Sequence, residues 1–94
     1  MSYENNPYYN PQDWGFTVVH EHDEGESYEF DIKILWVDSE GRFWYAEDSG
    51  CSCPTPFEFV DSYDDLIRIT NRDQLISLGV HPEMLVSAKK AGLS

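Results

Sequence analysis

Ten residues, YEFDIKILWV at positions 28 to 37, alternate side-chain character so regularly that they commit this chain to a strand. Tyr28, Phe30, Ile32, Ile34 and Trp36 fall on one face, and Glu29, Asp31 and Lys33 on the other. One apolar and one polar face is the pattern of an antiparallel sheet with a single buried side. A strand needs neighbours, and the flanking segments supply them. GFTVVHEH, from Gly15, also has a period of two, which places Phe16, Val18, His20 and His22 together, opposite Thr17, Val19 and Glu21. DEGES turns the chain between these strands. On the other side, Asp38-Ser39-Glu40-Gly41 has the Asp and Gly positions of a type I turn with a left-handed glycine, and RFWYAED returns as a third strand. The expectation is a three-stranded antiparallel meander over residues 15–48.

Residues 1–14, MSYENNPYYNPQDW, show neither period. Pro7 and Pro11 make them a loop or extended arm, whose tyrosines and Trp14 should dock on the body of the domain. Residues 49–61 form a Cys/Pro connector. Beyond it, in residues 62–94, the period lengthens. Ser62 with Asp65, and Thr70 with Asp73, fit the capping box, in which a hydroxyl satisfies an orphan helix N–H. A short turn or strand from 63 to 69 precedes a helix expected over about 71–78, closed by Gly79. A second helix starts at Pro82 and carries Lys89 and Lys90 in its last turn, where cations complement the dipole. Leu75, Ile76, Leu78, Met84, Leu85 and Ala88 would cover the sheet. The fold class is α+β, a three-stranded antiparallel meander packed against C-terminal helices, in one domain of 94 residues.

Charge narrows the partners. Residues 1–65 hold 16 Asp and Glu against Lys33 and Arg42, a net of −14, whereas residues 66–94 set Arg68, Arg72, Lys89 and Lys90 against Asp73 and Glu83, a net of +2. Such a field repels phosphates and membrane surfaces and favours basic partners, although an acidic surface also serves solubility alone. Aromatic residues at 15% argue against disorder. No apolar run approaches the ~20 residues of a membrane span, and MSYENNPYYN lacks the basic and apolar regions of a signal peptide, so a cytoplasmic protein is expected.

Three readings compete for the stretch DSGCSCPTPF, positions 48 to 57. His20, His22, Cys51 and Cys53 are a possible tetrahedral zinc set, but a strand holds residues two apart at ~6.5 Å, wide for two sulfurs on one ion. A redox pair needs a lowered thiol pKa, and the neighbours Glu47, Asp48 and Glu58 work against one. The favoured reading is a shaped structural loop: Gly50 permits a positive φ, Pro54 and Pro56 fix two φ angles, Cys51 and Cys53 pack as small apolar groups, and Phe57 anchors the exit. No phosphate loop, G-x-S-x-G or H-E-x-x-H occurs, and the many carboxylates lie on solvated faces, so no enzyme, catalytic residue or cofactor is expected. A helix-turn-helix reading of 73–92 would offer DNA only Lys89 and Lys90 on a body of opposite charge.

The segments YYNPQDWGF, YEFDIKILWVDSEGRFWYAEDSGCSCPTPFE and DDL resemble a family of small uncharacterised proteins encoded by tailed phages of actinobacteria, mycobacteriophages among them. The resemblance covers roughly the first two thirds of the chain. It implies a phage product made in the bacterial host cytoplasm and assigns no activity. Three functions are consistent with these observations. The first is an accessory protein that binds a host protein through an acidic and aromatic surface containing Tyr8, Tyr9, Trp14, Glu29 and Asp31. The second is a zinc-binding domain, and the third an acidic mimic of DNA that occupies a nucleic-acid-binding host protein.

Overall fold

The computed structural model describes residues 7–25, 29–51, 57, 60 and 62–93, with only the backbone at Glu29 and Cys51. Four strands, not three, form one antiparallel sheet in the order β1 (Phe16–Asp23), β2 (Glu29–Asp38), β3 (Phe43–Cys51) and β4 (Ile67–Ile69). The extra strand lies in the segment expected as a turn or strand. Ile67–Ile69 is held by pairing with β3, where Ile69 meets Phe43 and Arg68 meets Trp44. Helices α1 (Arg72–Ser77) and α2 (Pro82–Lys90) follow.

Both faces of the sheet are covered. Ile34, Leu35 and Trp36 are consecutive and all 1% exposed or less. The alternation that marks one buried face therefore ends at Lys33, and the rest of β2 reads as a strand buried on both sides. Leu35, Phe43, Tyr45 and Ile69 face the helices and pack with Leu75, Met84 and Ala88. On the opposite face Ile32, Ile34, Trp36 and Ala46 pack beneath Phe16, Phe57, Val60 and Leu66, with Tyr8 and Trp14 against them. The arm and the connector, rather than the helices, cover the face on which the sequence pattern concentrates its apolar residues.

A bulge in β1 alters which side chains share a face. Val18 pairs with Trp36 and His20 with the next residue, Leu35, leaving Val19 as the extra residue. One inserted residue reverses the parity of everything beyond it. Phe16 and Val18 stay on the arm face, whereas His20 and His22, expected beside them, move to the helix face.

Local signals explain the ends of the elements. A 3-10 turn, Pro11–Trp14, begins with proline and closes at Gly15, whose φ is 73°. The capping box of Ser62 and Asp65 closes the turn Tyr63–Asp65, with the Asp65 carboxylate accepting from the Ser62 amide. At α1 the cap lies one residue later than Thr70 and Asp73 would place it. Asn71 accepts from the Gln74 amide at 3.1 Å, and the Gln74 side chain takes the Asn71 and Thr70 amides in return. The longer glutamine satisfies two orphan donors where Asp73 would reach one.

Candidate interaction surface

Beyond the helices, the end of the sheet formed by the β1–β2 and β2–β3 strand ends is acidic. The β2–β3 hairpin register sets Lys33 opposite Glu47 and Asp31 opposite Ser49. Lys33 Nζ lies 3.8 Å from an Asp31 oxygen and 3.9 Å from a Glu47 oxygen, so one cation is shared by two half-exposed carboxylates. Asp31, Lys33, Glu47, Asp48 and Ser49 line a shallow groove of about 400 Å3. Glu21, Asp23 and Glu24 are exposed at the same end of the sheet, but Glu21 and Asp23 pair with Ile34 and Ile32 and so lie on the arm face, opposite the groove. Tyr45 donates to Glu47 at 3.0 Å from within the helix-side core, which fixes one wall of the groove. Burial, with the Glu47 hydrogen bond behind it, raises the Tyr45 pKa well above that of a free phenol.

The structure divides the proposed contact residues. Tyr8 is committed to the fold: its ring lies 5.2 Å from Phe57 and its hydroxyl donates to Glu21 at 2.6 Å, and burial followed by that bond raises its pKa. Trp14 is half-buried against Phe16 and Tyr63, and its carbonyl accepts from the Tyr63 hydroxyl at 2.9 Å. Tyr9 is 45% exposed, edge-on to Tyr8, and offers an aromatic face beside the acidic strand. Glu29 pairs through its backbone with Cys51 at the acidic end, and Asp31 lines the groove. Spacing alone does not reveal Glu47, but the turn at Asp38 to Gly41 does, since its register carries Glu47 to Lys33.

His22 meets a histidine, His81, that local pattern could not connect to it. The His22 and His81 rings lie 4.5 Å apart, His22 Nε2 is 3.1 Å from Glu24, and His81 Nδ1 accepts from the Glu83 amide as the cap of α2. His20 Nδ1 is 3.4 Å from the Ser87 hydroxyl. The register keeps Cys51 away from this group. It sits two strands over from His22 and four rungs along, about 16 Å through the backbone, too far for one ion with ~2 Å bonds. Among the described residues, no three His, Cys, Asp or Glu side chains are placed to hold a metal ion. Cys53, Pro54 and Pro56 lie outside the described residues.

Gly50 and Cys51 belong to β3 rather than to the connector, pairing with Phe30 and Glu29. The left-handed backbone expected at Gly50 occurs instead at Phe57, with φ 63°. Phe57 is fully buried, and its amide donates to Asp48 at 2.8 Å.

These features define a small α+β domain with an acidic sheet end and no helix, among the described residues, long and apolar enough to cross a membrane. The chain belongs to the family described as a domain of unknown function, DUF7574, whose model matches residues 5–84. Neither a curated protein nor a solved structure matches it.

Proposed function

We propose that this protein is a non-enzymatic phage accessory protein that binds a basic surface of a host protein, in the host cytoplasm, through the acidic end of its sheet. The observation that carries this reading is the groove in which Asp31 and Glu47 share Lys33, at a sheet end whose other face carries the exposed Glu21 and Asp23. A partner's Arg or Lys entering there would meet carboxylates whose single internal cation lies nearly 4 Å away, a loose pairing that an incoming guanidinium could displace. Tyr9, exposed beside Tyr8 on the arm side of the sheet, supplies an aromatic face for a cation or an aliphatic stem. The charge complementarity would chiefly raise the association rate and set specificity, so binding should weaken as salt shortens the Debye length from ~30 Å at 0.01 M to ~8 Å at 0.15 M.

The test compares wild type with the double variant Asp31→Asn, Glu47→Gln as bait in actinobacterial host lysate at low salt. Glutamine retains an acceptor for Tyr45, which separates charge from folding. We expect a saturable basic partner on wild type and at least about tenfold weaker capture by the variant, as is common when complementary charges are removed. Recovery of no saturable partner, or of the same partner equally by both baits, would count against the reading.

A further inference from the structure

The opposite end of the molecule carries a surface of contrary chemistry. Of the six cations in the chain, Lys33 is held by Asp31 and Glu47, Arg42 by Asp38 and Glu40, and Arg68 lies over the Trp44 ring at 5.6 Å. Arg72, Lys89 and Lys90 have no carboxylate partner among the described residues, in a chain with 18 acidic residues. All three lie on the outer side of α1 and α2.

Two grooves meet there at Arg72 and Leu85. One, of about 420 Å3, is bordered by Asp73 and Ile76, and the other, of about 650 Å3, by Val86, Lys89 and Lys90. Ile76 and Val86 are 59% and 55% exposed. Expected to cover the sheet, Ile76 instead points outward. Arg72 Nε is shielded from water and has no acceptor among the described residues, and an unmet buried donor is unfavourable. The surface therefore combines apolar side chains, unpaired cations and an unmet donor.

We propose that the α1–α2 face docks an acidic amphipathic helix of a partner protein. Its apolar side chains would lie over Leu85 between Ile76 and Val86, the helix-in-groove mode. Its carboxylates would meet Lys89 and Lys90, and one would draw the Arg72 guanidinium outward into a two-point pairing that satisfies Nε. A second copy of this chain fits poorly, because its acidic groove of Asp31, Lys33, Glu47, Asp48 and Ser49 has no apolar side chain to cover Ile76 and Val86. Duplex DNA fits poorly too, since three cations on a body of net charge −12 give few phosphate contacts and much repulsion. The surface is separate from the acidic end, so the two could be occupied together.

Fluorescence anisotropy of the whole protein at low salt provides the test. The probe is a labelled peptide of about fifteen residues with Leu on one helical face and Glu on the other, and a scrambled peptide of the same composition is its control. We expect the amphipathic peptide to bind at least about tenfold tighter than the scramble, because only it presents apolar area and charge together. Lys89→Gln with Lys90→Gln should weaken it several-fold, and Ile76→Ser with Val86→Ser should do so with the thermal midpoint nearly unchanged. Arg72→Gln should abolish the remaining preference. Asp31→Asn with Glu47→Gln should leave peptide binding intact or stronger, which keeps failure here distinct from failure of the acidic site. Equal binding of the two peptides, indifference to these variants, or tighter binding of a duplex DNA of similar length would overturn the proposal. So would self-association in sedimentation that Lys89→Gln with Lys90→Gln abolishes.

Discussion

Asp38 is the most densely bonded carboxylate described in the chain. Its side chain is only 6% exposed, and its two oxygens accept from the Glu40 and Arg42 amides, Arg42 Nε and the Trp44 indole at 2.8–3.1 Å. Burial opposes the charge, but the four donors outweigh it and hold the pKa at about 2. A depressed folded pKa contributes stability that is present above the unfolded value near 4 and lost as pH falls towards 2. Asp38→Asn should therefore cost about 1–2 kcal/mol at neutral pH, after allowance for solvent screening. Urea midpoints between pH 4 and 2 should fall less steeply in the variant than in wild type. At Phe57 burial and backbone compete: φ 63° is unfavourable for a bulky residue, yet the ring is fully enclosed. The ring should win by a wide margin. Phe57→Ala keeps most of the strain and loses the contacts, so it should destabilise by about 3–4 kcal/mol in denaturant titration.

At the scale of elements, α2 is joined to β1 through imidazoles. His81 accepts the Glu83 amide and stacks near His22, so it closes the helix and fastens it to the sheet with one ring. A double-mutant cycle of His22→Ala and His81→Ala should give a coupling of about 0.5–1 kcal/mol at neutral pH, and additivity would sink the assignment. Much of this architecture is legible in the residues. Period two gives β1 to β3, the Asp38 to Gly41 turn fixes the β2–β3 register, and proline and glycine bracket α2. The bulge at Val19 is not legible, since no glycine or proline marks it, and parity counting therefore misplaces both histidines. Leu35 and Tyr45 mark a second buried face only once the helices are seen to pack there. A three-residue β4 is too short to carry a period, and the nearness of His81 to His22 is a tertiary fact with no local trace. Of the candidate site, Asp31 was readable from alternation and Glu47 from the hairpin register, whereas Tyr8 and Trp14 were readable as docking aromatics but their partners, Phe57, Glu21 and Tyr63, were not.

For the whole molecule, charge distribution sets the balance between solubility and stability. A net charge of −12 on 94 residues means that folding gathers like charges which the unfolded chain keeps farther apart. The acidic sheet end concentrates this repulsion: Asp31 and Glu47 share Lys33 on one face, while Glu21, Asp23 and Glu24 lie exposed nearby with no Lys or Arg against them among the described residues. The exposed ion pairs that salt would weaken are worth little individually, ~0–1 kcal/mol each. Repulsion among many carboxylates should exceed that loss, so screening should stabilise. Raising NaCl from about 0.01 to 0.2 M, which shortens the Debye length from ~30 Å to below 10 Å, should raise the thermal midpoint by a few degrees. Neutralising Asp31 and Glu47 should shrink the gain, because their repulsion is then already absent. Replacing Lys89 and Lys90 by glutamine should enlarge it, since the net charge becomes more negative. A midpoint that fell with salt in all three proteins would mean that the surface ion pairs outweigh the repulsion, and the acidic end could not then be a strained, partner-seeking surface.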